Sequence, residues 1–196
     1  ILSPEECMQL TDEGLYTCLI QNKEFSKEKR NSDAKYLTHG LPDDAFCRDK
    51  VPMTKEEVRE AVICKMRLTP EAVVYDIGSG TGSIAVEMAR LSKNLTVYAI
   101  ERKAEAVSLI EKNCVKYGLA NVKVVHGEAP GALTELPVPT HAFIGGSNGS
   151  LKEILKDLYQ KNPCMRVVVT AVTLETVGAV SSILNEFPVK QEEIIQ

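Results

Sequence analysis

Tryptophan is absent from the 196 residues, histidine occurs three times and phenylalanine four times. A single-stranded nucleic-acid groove needs stacking aromatics and a basic stripe. Here the stacking residues are few, the net charge is −4 and the pI is near 5.5. Nucleic acid and anionic membrane are therefore not expected as partners. No apolar run exceeds strand length, which excludes a bilayer-spanning helix and leaves no signal-peptide pattern. The six cysteines, at 7, 18, 47, 64, 114 and 164, form no C-x-x-C pair and have no histidine close by. That spacing argues against a zinc site or a disulfide frame and for reduced, mostly buried thiols in a cytoplasmic protein. Nor does a nucleophile, base and acid constellation stand out: the three histidines are widely separated and there is no serine motif.

The chain is 44% hydrophobic, enough for one sizeable core and too short for two full domains. Residues 1–20 pair a helix-like "SPEECMQL" with the strand-like run "LYTCLI". The polar, aperiodic "QNKEFSKEKRNSDAKY" (21–36) then reads as linker, and the linker is bounded at residues 23–39. A separate unit is expected over 40–196, which makes the first twenty-two residues a remnant of something upstream.

In that unit "TKEEVREAVICKM" predicts a helix. Thr54 and Glu57 have capping-box spacing, and Val58, Ala61, Val62 and Met66 fall on one face. Strand-like runs follow at "AVVYDIG", "TVYAIE", "VKVVHG", "HAFIGG" and "MRVVVT". Helical patterns separate them at 83–91, 104–117, 151–160 and 174–187, with a short one near 130–136, and Gly118 is a fitting helix stop. Five strands alternating with helices predict an α/β fold: a doubly wound, mostly parallel sheet covered on both faces, with right-handed crossovers. The final "PVKQEEIIQ" suggests the start of one more strand.

Gly78, Gly80 and Gly82 crowd the turn after the first core strand. In open parallel sheets that turn faces the ligand, and glycine permits positive φ and close approach of the backbone. The spacing is G-x-G-x-G, and the last glycine of the dinucleotide fingerprint G-x-G-x-x-G is replaced by Ser83. Asp76 adds a carboxylate two residues before the first glycine; it would repel a pyrophosphate and tolerate a sulfonium or an amino group. Glu101 ends the second strand, where an acid accepts hydrogen bonds from ribose hydroxyls. Glu128 and Ala129, after the third strand, fall beside the expected base. These features together describe a nucleoside with a positively charged tail, a description S-adenosylmethionine fits. Structural glycines between strand and helix are the plain alternative for the turn alone.

"GLPDDAF" (40–46), "PMTKEEVR" (52–59), "DIGSGTGS" (76–83), "GGS" (145–147) and "TAVTLET" (170–176) resemble the decarboxylating precorrin methyltransferases of cobalamin synthesis. These are the cobalt-precorrin-6B C15-methyltransferases and the matching half of the precorrin-6Y C5,15-methyltransferases. The resemblance implies a Rossmann-like class I methyltransferase fold whose closing hairpin is incomplete here. It also implies methylation at C15 of a tetrapyrrole, with loss of carbon dioxide from the C12 acetate. Carried over by position, cofactor contacts fall on Thr54, on Gly78, Ser79, Gly80, Thr81 and Gly82, and on Glu101 and Ala129. Residues 1–22 resemble the tail of a C5-methyltransferase domain, and the family usually forms a homotetramer. An RNA methyltransferase on the same scaffold would need the missing basic stripe and an N-P-P-Y-type motif; a non-catalytic cofactor-binding module is a further alternative.

No catalytic residue follows from the motifs. Ser147 and Asn148, after the fourth strand, and Glu175, after the fifth, are candidates, as alternatives to turn and cap roles. His126, at a strand end, reads more simply as a structural histidine. A polycarboxylate substrate calls for cations, and Arg48, Lys50, Lys55, Arg59 and Arg102 are expected near the mouth.

Overall fold

The structure, a computed structural model, describes residues 38–195. The expectations for residues 1–22 and for most of the linker lie outside them. Five strands form one parallel sheet in the order β3-β2-β1-β4-β5: β1 (Val73–Ile77), β2 (Thr96–Glu101), β3 (Val122–His126), β4 (His141–Ile144) and β5 (Arg166–Val169). The order reverses between β1 and β4, so their carboxyl ends open a crevice.

Alternation along each strand sends side chains to two cores. Val74, Val97, Ala99 and Phe143 pack with α1 (Glu56–Met66), α2 (Ser83–Leu91) and α3 (Ala104–Tyr117). Tyr75, Ile77, Ile100, Ala142 and Ile144 face α4 (Leu151–Lys161) and α5 (Leu174–Leu184). The central strands are covered on both faces, so they read as continuous apolar runs rather than alternating ones. The expected short helix near 130–136 is a 3-10 turn, Gly131–Leu133, with Leu133 fully buried. Gly118 ends α3 in the left-handed region, its amide donating to the last turn.

Four expectations are corrected. The capping box does not form: Lys55 is the N-cap of α1 and makes no side-chain cap bond. The buried face of α1 is Arg59, Val62, Ile63 and Met66, while Val58 and Ala61 are exposed. The helix is therefore rotated so that a charged residue enters the core. Residues 188–195 form no strand; a strand needs a ladder partner, and among the described residues none lies there. Glu193 pairs with Lys65 instead. Of the four described cysteines, Cys114 is buried, Cys47 half-buried, and Cys64 and Cys164 exposed, so the thiols are less buried than expected. Among the described residues no helix is long and apolar enough to cross a membrane.

Candidate functional site

A cleft of about 580 Å³ lies at the carboxyl ends of β1, β2, β3 and β4, within the range of small-molecule sites. Its walls include Thr54, Gly78, Ser79, Gly80, Glu101, Glu128, Ala129, Ser147 and Asn148, nine of the thirteen site residues expected from sequence. Asp76, Thr81 and Gly82 lie behind the turn rather than in the wall. Glu175 falls in the first turn of α5, its side chain outside the described part, and Thr173 caps that helix through its hydroxyl.

The glycine turn is shaped by the protein itself. At Gly78, φ is +74°, and a Cβ would stand 2.7 Å from the Gly146 carbonyl oxygen and 2.9 Å from its nitrogen. At Gly80, φ is +58° and the Pro52 carbonyl oxygen is 3.1 Å from the Cβ position. Gly82 meets the Ile110 side chain of α3. The bareness expected to admit a ligand is thus filled largely by backbone of β4's loop and of the segment before α1.

Four amides of the turn are also spoken for. Those of Gly78 and Ser79 donate to the Ile100 carbonyl at 3.0 and 3.1 Å, and that of Gly82 to the Ser79 carbonyl at 2.9 Å. Gly80 donates to Glu101 Oε2 at 2.9 Å, and Lys103 donates to Glu101 Oε1, also at 2.9 Å. Glu101 is only 8% exposed yet lines the cleft, so its carboxylate is oriented by two amides and each oxygen keeps acceptor capacity. A pyrophosphate is gripped by free amides at such a turn and helix start; here the amides of Gly78, Ser79, Gly80 and Gly82, which lead into α2, serve the turn, and Glu101 stands in front.

Asp76 is corrected from a ligand-facing carboxylate to a buried one. It is fully buried and accepts the Ser79 hydroxyl at 2.7 Å, while its Oδ1 has no hydrogen-bond partner among the described residues. Burial pushes its pKa up to about 7, opposed by the Ser79 hydroxyl and the nearby Ala85 amide and reinforced by the Glu101 charge. Asp76 holds the turn from behind.

On the far wall Asn148, with φ +48°, donates from Nδ2 to Glu128 Oε1 at 2.9 Å and so ties the loops after β3 and β4 together. Arg102 stands 3.9 Å from the same oxygen. His126 does not line the cleft; its Nε2 lies 3.2 Å from the Arg102 carbonyl, a structural contact. Of the expected cations, Lys55 and Arg102 line the cleft, Arg48 and Lys50 are exposed on the preceding loop, and Arg59 is buried. Arg59 cannot meet a substrate carboxylate, because its guanidinium is spent inside the protein.

Sequence reasoning missed Val51, Pro52, Met53 and Lys103, all in the walls. It also missed Asn113, which donates to the Thr81 and Cys47 carbonyls and accepts the Cys47 amide. Glu87 was legible in principle. It is the one acid in α2, "SIAVEMARL", where seven of nine residues are buried.

Residues 44–190 match the family model described as "Precorrin methyltransferase domain". A curated protein of Sulfurisphaera tokodaii named "Probable cobalt-precorrin-6B C(15)-methyltransferase (decarboxylating)" is 42% identical over 159 residues, 79% of this chain and 82% of that protein. The crystal structure of precorrin-6Y C5,15-methyltransferase from Geobacter metallireducens superposes with a TM-score of 0.73 at 35% identity, covering 77% of this chain and 81% of that one. The C-terminal domain of precorrin-6Y C5,15-methyltransferase from Rhodobacter capsulatus gives 0.71 at 29% identity, covering 82% and 90%. With these motifs on this sheet, and three quarters of its length matched, the chain belongs to the precorrin methyltransferase family.

Proposed function

We propose that the protein is an S-adenosylmethionine-dependent methyltransferase that methylates C15 of a precorrin or cobalt-precorrin and removes the C12 acetate carboxyl as carbon dioxide. The names of its relatives support the reaction. The observation that carries the cofactor is Glu101: a nearly buried carboxylate, oriented by the Gly80 and Lys103 amides, at the edge of a cleft where four amides of the turn are already used. Such a cleft takes a nucleoside by its hydroxyls rather than a dinucleotide by its phosphates.

When bound, S-adenosylmethionine supplies an activated methyl group on a sulfonium. An electron-rich ring carbon is itself nucleophilic, so this chain's residues have to orient the partners and exclude water. Of the residues that line the cleft, Glu101 would hold the ribose hydroxyls of the bound cofactor, Ala129 and Glu128 would flank its base, and Thr54 and the Gly145–Gly146 backbone would face the remainder. Ser147 and Asn148 are placed to hydrogen-bond a substrate carboxylate or the methionine tail. In the same reading residues 1–22 are the end of a C5-methyltransferase domain, consistent with a relative whose domain is called C-terminal. The enzyme then works as a homotetramer in the cytoplasm, and sedimentation equilibrium reads that assembly directly.

Calorimetry tests the cofactor. S-Adenosylmethionine should bind the wild type more tightly than NAD, and Glu101→Ala should weaken it by about 30-fold, or about 2 kcal/mol, since charge-assisted hydrogen bonds are lost. A preference for NAD, or undiminished affinity in the variant, overturns the assignment. Carbon dioxide release together with the mass change of a precorrin identifies the acceptor.

Arg102 supplies a separate prediction. Its guanidinium is half exposed at the mouth and only loosely paired with Glu128. Arg102→Gln should raise KM for the tetrapyrrole about fivefold, the scale of one partly solvated charge contact, and leave cofactor affinity within twofold. Steady-state kinetics at saturating cofactor decide it, and an unchanged KM removes Arg102 from the substrate surface.

A further inference from the structure

The guanidinium of Arg59 sits in the core, with 0% exposure, and gathers backbone from two distant places. Its Nη1 donates to the Thr54 carbonyl at 2.6 Å and to Asp43 Oδ1 at 2.7 Å, and Nη2 donates to the Leu41 carbonyl. Its Nε lies 3.6 Å from Glu87 Oε1, and the Phe46 ring is stacked against the guanidinium, 4.9 Å from ring centroid to carbon. Glu87, also fully buried, accepts the Leu41 amide at 2.8 Å and that of Gly40 at 3.2 Å.

One planar fork therefore clamps both ends of the segment from Leu41 to Thr54. That segment supplies a cleft wall, through Val51, Pro52, Met53 and Thr54, and its Pro52 carbonyl faces Gly80, 3.1 Å from where a Cβ there would stand. Burying a guanidinium costs several kcal/mol unless it is paired and hydrogen-bonded. An apolar residue could fill the volume without fixing the register of two carbonyls; a fork with donors in fixed directions does fix it.

We infer that Arg59 is a positioning residue for cofactor binding: it staples the Leu41–Thr54 segment into the wall against which the cofactor rests. The inference depends on the cofactor reading for its ligand but not for the staple. Asp43 shares the task. Burial alone would raise its pKa, but hydrogen bonds from Arg59 and Lys55 outweigh burial and hold the carboxyl below its ordinary value.

The test compares the wild type with Arg59→Lys, which keeps the charge and loses the fork. Two readouts are used: calorimetric affinity for S-adenosylhomocysteine, and limited trypsin digestion without ligand, followed by mass spectrometry. The expected result, read well below the unfolding midpoint of each protein, is about tenfold weaker binding, with cleavage after Arg48 and Lys50 at least tenfold faster while other sites keep their wild-type rates. Were Arg59 only a buried charge, lysine would restore both properties. Affinity within twofold of wild type, or faster cleavage spread evenly along the chain, overturns the staple. If Arg59→Lys does not fold, Asp43→Asn at the partly exposed end of the network should give about threefold weaker binding and the same local cleavage; wild-type behaviour there overturns the inference too. A wild type that binds neither S-adenosylhomocysteine nor S-adenosylmethionine removes the cofactor reading, and the digestion then judges the staple alone.

Discussion

Gly78→Ala should destabilise the domain by about 4 kcal/mol, lowering its thermal midpoint by about 10 °C for a unit of this size. Two costs add. An L-residue at φ +74° pays about 1–2 kcal/mol for the left-handed region. The new methyl also stands 2.7 Å from the Gly146 carbonyl oxygen and 2.9 Å from its nitrogen, which are backbone atoms that no rotamer can move aside. Relief requires the β1 and β4 loops to part, and those loops are adjacent walls of the cleft. Gly118→Ala is the control: φ is +62°, but nothing lies within 4 Å of its Cβ position, so only the conformational cost of about 1–2 kcal/mol applies. Urea unfolding of both variants measures the difference. Equal losses would mean that the Gly78–Gly146 approach carries no energy, and the account of the turn would fail.

That pairing also marks the boundary of what the sequence discloses. The turn itself was legible, because three glycines in five positions can only follow a strand that bends sharply. Its reason was not. Gly78 is bare for Gly146, sixty-eight residues away, and Gly82 for Ile110; no local pattern encodes such neighbours. The strands and helices were legible for the opposite reason, since apolar periodicity is a property of each segment alone. The strand order was not, since a parallel ladder pairs β1 with β4 across two intervening units.

Arg59 shows the same limit at one residue. A charged side chain three positions before Val62 reads as solvated, and that assumption turned α1 by one position and placed the arginine at the cleft mouth. The partners that make its burial tolerable, Asp43, Glu87 and the Leu41 carbonyl, come from a loop and from another helix. Thr54 and Glu57 had the spacing of a capping box, but the Thr54 carbonyl is drawn to that guanidinium and the helix starts without a side-chain cap. The acid of the site fared better. Glu101 ends a strand whose neighbour carries the glycine turn, so adjacency in the sheet delivers it to the cleft wherever the flanking helices settle.

Asp76→Asn should reshape the pH dependence of stability. With a folded pKa near 7 against an ordinary 3.8, the native state keeps a proton that the unfolded chain has released between those values. Raising the pH through that window therefore penalises the native state, and the penalty is complete once the folded carboxyl has ionised. Over about three units this amounts to about 4 kcal/mol at most, lost by the wild type between about pH 4 and pH 7 and level above it. Asparagine mimics the neutral carboxyl, still accepts the Ser79 hydroxyl, and has no proton to lose. The gap in stability between Asp76→Asn and wild type should thus widen steadily from pH 5 to pH 7 and then stay constant. Glu101→Gln should shift the window downward, because the Glu101 charge contributes to raising Asp76. Chemical denaturation at each pH reads these curves directly. Parallel profiles for wild type and Asp76→Asn would mean that Asp76 is ionised throughout, and the carboxyl behind the turn would then be a charge whose compensation lies elsewhere.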